Sequence, residues 1–210
     1  VIEFFSSLVD AVTEAPPIWR NLIAGFAIML ETSIFLGLVV PGDTVVILAS
    51  TMVLDWGDFA FLLMSVLIGS LIGETIGFFI GRFFGPKLRH SKLGRKIGEK
   101  NWVLADKLVA RRGGVAVFIS RFLPVLHSVV PAVAGMTKMP YKTFISWTFA
   151  ACTIWASMYV GVGYLARASF DQLSDNLRVA SFVGIGIILL FMLLVFIGKK
   201  LLNNYVHKED

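Results

Sequence analysis

Cysteine is almost missing from this 210-residue chain: Cys152 stands alone, which excludes an internal disulfide and a multi-cysteine metal site. Charge is scarce as well, with Asp, Glu, Lys and Arg supplying 16% of residues, where soluble domains carry about 25%. Alternating strands of about ten residues are not found, which sets aside an outer-membrane barrel. No basic n-region with a cleavage site reads as a signal peptide. What the chain has in excess is apolar sequence, 57% of residues, with 18 Phe and 19 Gly. Long apolar runs of this composition point to an all-α integral membrane protein of one compact domain, packed through small residues.

The few charges cluster. From Arg82 to Arg112 ten Lys and Arg face only Glu99 and Asp106, a net of +8 within a chain of net +5. Between membrane segments, such a cluster reads as a cytoplasmic loop under the positive-inside rule and not as a nucleic-acid surface.

Residues 1–17 place Ile2, Phe5, Leu8, Val9 and Val12 on one helical face and end at Pro16-Pro17, the pattern of an interfacial amphipathic helix. Residues 18–54 are apolar but contain Glu31 and a break at Pro41-Gly42-Asp43. Residues 59–81 form a clean span, 82–112 the basic cytoplasmic loop, 113–139 a broken apolar stretch, and 141–166 and 179–198 two further spans. Lys199 and Lys200 open a cytoplasmic tail over 199–210. With the basic loop and the tail on one side, spans 141–166 and 179–198 complete one round trip. Segment 113–139 must therefore enter and leave on the cytoplasmic side as a re-entrant hairpin turning near Pro124, because two crossings need about 40 residues. The same logic makes 18–54 a hairpin dipping from the outer face and turning near Pro41-Gly42; the rival reading takes 18–40 as a full span. One hairpin from each side, each followed by a span, is the plan of an inverted repeat with about three full spans, whose broken segments meet near the midplane.

Charged residues inside apolar segments are expensive and mark sites. Glu31 and Asp43 stand twelve residues apart about the first hairpin's turn, a carboxylate pair suited to taking up and releasing protons. The bland reading pairs Glu31 with Arg121 and lets Asp43 cap a short helix. The stretch "FISRFLPVLHSVVPAVAG" places Arg121 and His127 in the second hairpin with Pro124 and Pro131. Arg presents a planar fork that matches phosphate, His adds a donor or titrates, and helix N-termini freed after the prolines would offer backbone N–H groups. Here the bland reading is one ion pair from Arg121 to Glu31 or Asp43, with His127 on a carbonyl. In "GSLIGETIGFFIGR" the residues Gly69, Gly73, Gly77 and Gly81 recur every fourth position as a packing face. Glu74 sits one residue off that ridge and either joins a proton path or bonds a hairpin. Arg82 closes the helix by snorkelling or holding carbonyls. Trp147, Trp155, Tyr159 and Tyr164 read as packing or interfacial anchors.

"ETSIFLGLVVPGD" from Glu31 to Asp43, the four-spaced glycines ending in Gly81-Arg82, and "FISRFLP" running on to Gly135 together resemble the DedA family of bacterial membrane proteins, relatives of the VTT-domain lipid scramblases. The resemblance covers residues 20–198. It implies two facing re-entrant hairpins and a role in returning undecaprenyl phosphate, the cell-wall lipid carrier, across the bacterial inner membrane, with links to the proton motive force. Under it, Glu31 and Asp43 match the family's acidic pair and Arg121 its first arginine. His127 stands where a second arginine is usual.

The resulting expectation is a proton-coupled flippase for a polyprenyl phosphate, not an enzyme and without cofactor or metal. Arg121 and His127 would hold the phosphate, and Glu31, Asp43 and Glu74 would couple protons. Its partners are a membrane lipid and protons, with no nucleic acid; self-association as a homo-oligomer is compatible with it. The alternatives are a phospholipid scramblase and a proton-coupled exporter of small cations or drugs. A lipid phosphatase of type 2 shares the Ser-Arg-x5-His spacing of Ser120, Arg121 and His127, but Pro131 stands where its orienting Asp belongs.

Overall fold

The computed structural model describes residues 12, 14–33, 42–123 and 125–172, and every regular element among them is an α-helix. The span expected over 179–198, the tail over 199–210 and nearly all of the N-terminal helix lie outside the described residues, as do Pro41 and Pro124.

Helix α1 (Pro17–Ser33) begins on a proline, whose fixed φ and missing N–H suit a first helical position. Helix α2 (Gly42–Ser50) runs antiparallel to it. At one end a Cβ on Gly42 would touch Ala27 O and Ile28 Cα; at the other, Arg20 Nη1 donates to Met52 O at 2.7 Å. Asp55 then caps α3 (Trp56–His90), its extended backbone letting the carboxylate accept Asp58 N–H at 2.9 Å. With 35 residues, α3 is about 52 Å long, and Lys87, Arg89 and His90 in its last turn complement the helix dipole.

The basic stretch is mostly helical: after α3 come α4 (Lys92–Ile97) and α5 (Glu99–Arg112). Gly98 at φ 87° joins them and Gly113 at φ 54° ends α5, conformations that side chains with a Cβ rarely adopt. Helix α5 turns Trp102, Ala105, Leu108 and Val109 inward against α7 and leaves Lys100 and Lys107 exposed. Arg89 ties α3 to α5 through Glu99 and, at 2.7 Å, Asp106. Helices α6 (Gly114–Ser120) and α7 (Leu126–Met136) precede α8 (Tyr141–Gln172).

Helices α3 and α8 run antiparallel: Trp56 meets Tyr164 at one end, and Phe78 stacks on Phe144 at 4.6 Å toward the other. Each is long and apolar enough to cross a membrane, over Trp56–Gly85 and Tyr141–Arg167. Each also exposes an apolar stripe, including Met64, Ile68 and Ile72 on α3 and Trp147, Ile154, Met158 and Leu165 on α8. A continuous exposed stripe of this kind suits hydrocarbon and not water. The molecule is a membrane protein with an all-α fold.

The shorter helices are shared between the two long ones. Helix α1 packs on α3 and α2 on α8, whereas α6 packs on α8 and α7 on α3. The glycine ridge of α3 is the seam. A Cβ on Gly69 would lie 2.0 Å from Gly25 O in α1, and one on Gly81 would lie 2.0 Å from Ala132 O in α7. Gly77 stands between them, facing Thr32 O on one side and Pro131 Cβ on the other, each 3.5 Å from its would-be Cβ.

Two apolar cores result, one at each end. Ala24, Ile28, Val46, Leu62, Val66 and Val160 belong to the first; Phe78, Trp102, Val117, Val129 and Phe144 to the second. Along α3 the buried stripe reads Leu62, Val66, Ser70, Glu74, Phe78, and along α8 it reads Phe144, Thr148, Cys152, Ala156, Val160. Both stripes turn polar at their middle. The candidate site occupies that level.

Candidate functional site

Glu31 lies in the last turn of α1 and is buried. Its Oε2 accepts the backbone N–H of Asp43 at 2.9 Å, which seats a carboxylate on the N-terminus of α2. Gly42 permits the approach, because a Cβ there would fall 2.6 Å from the same oxygen. The other oxygen, Oε1, is 3.5 Å from His127 Nε2. His127 is the second residue of α7, as Asp43 is the second residue of α2. The contact therefore joins the α1–α2 pair to the α6–α7 pair.

Arg121 caps the C-terminus of α6. Its Nη1 donates to Glu74 Oε1 at 3.1 Å, with the two side chains 2% and 5% exposed, and its Nη2 reaches Ser70 Oγ at 3.4 Å. The guanidinium carbon stands 4.1 Å from the centre of the Trp155 ring, a cation–π contact, and Trp155 stacks in turn on Tyr159 at 4.3 Å. Cys152 donates its thiol to Glu74 Oε1 at 3.7 Å. Asp43 and Glu31 also act on Arg121 electrostatically. Among the described residues, only two buried side-chain polar atoms have no partner, Arg121 Nε and Thr148 Oγ1, and Thr148 is one turn from Cys152 on α8.

The fold thus brings Glu31, Asp43, Glu74, Arg121 and His127 to one level between the cores. Arg121 is paired with Glu74, with Asp43 and Glu31 acting on it through their charge, and His127 faces the Glu31 carboxylate. Pro131 lies inside α7 without breaking it. Beside Pro124, the N–H groups of His127, Ser128 and Val129 donate to the carbonyls of Leu123 and Val125. Val125 takes up the bend with φ at 67°, an uncommon value for a β-branched residue. The helix N-terminus that does hold an anion is that of α2. Arg82 lies apart, donating to Met139 O at 3.3 Å. Ser70, Cys152 and Trp155 belong to the site although no single-residue signal marks them; the four-residue register of Ser70 with Glu74 on α3, and of Cys152 along the buried stripe of α8, finds the first two, and no pattern finds Trp155. Among the described residues no cluster of three or more His, Cys, Asp or Glu is placed to hold a metal ion.

Two helices long and apolar enough to cross a membrane, set around a buried, charged, partly unsatisfied centre, define a membrane protein with an internal polar site. The VTT domain family model matches residues 40–165, and the chain belongs to that family, which includes the bacterial DedA proteins. It is 27% identical to Protein DedA of Escherichia coli strain K12, over 77% of this chain and 74% of that one. It is 31% identical to Undecaprenyl phosphate transporter A of Staphylococcus aureus, over 53% of this chain and 56% of that one. It is 26% identical to an alkaline phosphatase-like protein of Lactococcus lactis, over 54% and 56%. No solved structure matches it.

Proposed function

We propose that this protein is a proton-coupled flippase that carries a polyprenyl phosphate, undecaprenyl phosphate above others, across the bacterial cytoplasmic membrane. The α1–α2 and α6–α7 pairs are read as two re-entrant hairpins entering from opposite faces, and α3 and α8 as the spans that follow them in an inverted repeat. The exchange of partners supports this: the first arm of each pair packs on the span of its own half, and the second arm on the span of the other. The basic segment 82–112 then faces the cytoplasm.

The observation that carries the reading is Arg121, a buried guanidinium at the meeting of the two pairs with one donor unspent. A guanidinium fork with a free N–H in a poorly hydrated place is built for an oxyanion, and phosphate on an apolar tail is the oxyanion a membrane supplies. His127 adds a second donor, while the tail stays along the apolar stripes of α3 and α8. Glu31, Asp43 and Glu74 couple the movement to protons. One proton crossing 100 mV yields about 2.3 kcal/mol, enough to bias net movement roughly fiftyfold. The name of the Staphylococcus relative supports the same substrate.

The test uses proteoliposomes with labelled undecaprenyl phosphate and labelled phosphatidylglycerol, with and without an imposed pH gradient, for the native chain and Arg121→Ala. Selective, gradient-driven movement of the prenyl lipid that the variant lacks is the expected result. Equal, gradient-indifferent movement of both lipids makes the protein a scramblase. No movement of either returns the reading to a proton-coupled exporter of small cations.

A further inference from the structure

Resting on the proposed function and deepening it, we infer that the phosphate sits on Ser70 and on the Arg121 guanidinium that Trp155 backs, and that Glu74 is the built-in occupant of this seat. Glu74 leaves by taking up a proton as each phosphate arrives.

The geometry supports each part. Trp155, 4.1 Å from the guanidinium carbon, holds Arg121 in a cation–π contact from α8, while its donors' partners lie on α3. Of these donors Nη1 is spent on Glu74, Nη2 reaches Ser70 only at 3.4 Å, and Nε is spent on nothing. A carboxylate occupies one position of a fork that a phosphate, with more oxygens, would fill. Thr148 Oγ1, the other unpartnered buried atom, lies one turn along α8 from the Cys152 that touches Glu74.

The charge balance requires the exchange. Glu31, Asp43 and Glu74 set three negative charges against Arg121 and, when protonated, His127. Adding a phosphate to that set without protons would leave several uncompensated negative charges in an apolar interior, which strongly disfavours them. The groups around Glu74 are Arg121 from the end of α6, His127 from α7 and the Cys152 thiol from α8; Glu31 and Asp43 act on the shared Arg121, and Tyr159 lies in the fields of the same groups. Among the carboxylates Glu31 is anchored independently, by the Asp43 N–H and by His127. Among the described residues, Glu74 is hydrogen-bonded by Arg121 and by a long thiol bond, with no backbone N–H to hold it. When phosphate takes Arg121, Glu74 is left facing Cys152 in apolar surroundings, where the neutral acid is the favoured form.

The proton comes from a hydronium ion on the side where the lipid enters: one hydronium O–H bond breaks, a Glu74 O–H bond forms, and water is left behind. Phosphate and proton then travel in the same direction. After release Glu74 gives up its proton and pairs again with Arg121, so the empty carrier returns without an unpaired guanidinium.

Calorimetry of a short-chain prenyl phosphate binding to the detergent-solubilised protein, at pH 8 in two buffers of different ionisation heat, counts the protons. The native chain is expected to take up about one proton more than Glu74→Gln, and its affinity relative to that variant to fall about tenfold per pH unit on the alkaline side. Ser70→Ala is expected to weaken binding severalfold and keep the proton uptake. Equal proton counts and parallel pH profiles for native and Glu74→Gln overturn the inference; if that variant does not fold, absence of proton uptake by the native chain overturns it alone. The double variant Arg121→Ala/Glu74→Gln separates the two readings. If it still binds like Glu74→Gln, the phosphate role of Arg121 fails; if it loses binding while native and Glu74→Gln stay indistinguishable, only the exchange fails.

Discussion

His127 Nε2 lies 3.5 Å from Glu31 Oε1, and this contact closes the gap between two helix pairs that are far apart in sequence. Its strength depends on protonation, because only the imidazolium forms an ion pair with the carboxylate. His127→Arg would make the charge permanent. Prenyl-phosphate affinity should be retained in this variant and weakened severalfold in His127→Ala. Unchanged affinity in His127→Ala would make His127 a packing residue.

Arg121 and Glu74 are buried together, so removing either one leaves the other uncompensated. Arg121→Ala should cost about 3–5 kcal/mol of stability, read as a fall in Tm in detergent. Adding Glu74→Gln should recover most of that loss, because a neutral amide needs no counter-ion. If the double variant is no more stable than the single one, the pair is not the source of the cost.

How much of this was legible in the sequence differs between elements. Two long apolar helices were, α3 and α8, and so were the charges that interrupt apolar segments: Glu31, Asp43, Glu74, Arg121 and His127 meet at one level. Their pairing was not legible. Sequence spacing relates Glu31 to Asp43, but Arg121 meets Glu74 only because α6 packs on α8 while α7 packs on α3, a tertiary arrangement that no local pattern encodes. Trp155 was read as packing for the same reason, since nothing about an aromatic on a membrane helix reveals that a guanidinium lies over it.

The glycine ridge should respond position by position. A Cβ at Gly81 would meet the backbone oxygen of Ala132 at 2.0 Å, and backbone cannot swing aside. Gly81→Ala should therefore force α7 off α3, at about 1–3 kcal/mol or more. At Gly77 the nearest atoms are 3.5 Å away, ordinary contact, and alanine favours a helix by about 1 kcal/mol over glycine. Gly77→Ala should leave Tm unchanged or raise it. Equal losses at the two positions would refute the seam.

Asp58 holds the opposite end of the fold. Its carboxylate accepts from Arg20 Nη2 at 2.5 Å, Asn21 Nδ2 at 2.7 Å and Leu54 N at 2.9 Å, linking the first turns of α1 and α3 with the loop before α3. Asp58→Ala strands a buried guanidinium and should lower stability by about 3–5 kcal/mol. Because the cluster is remote from Arg121, prenyl-phosphate affinity of the folded fraction should be retained. A loss of affinity equal to that of Arg121→Ala would show the two sites to be coupled.

Outside the membrane, the Arg89 guanidinium bonded to Glu99 holds that carboxyl below its ordinary value of 4.5. A carboxyl whose folded pKa is depressed contributes stability above its unfolded pKa and loses it as pH falls through the folded value. Hydrogen-exchange protection of α4 and α5 should therefore be level from pH 6 to 8 and decline below about pH 4. Glu99 is exposed, so raising salt to about 1 M, where the screening length is about 3 Å, should remove part of the same protection at neutral pH. Arg89→Ala should abolish both responses while Trp102, buried and bonded to Gly94 O, keeps the two helices docked. An acid decline that persists in Arg89→Ala would assign it to another carboxylate.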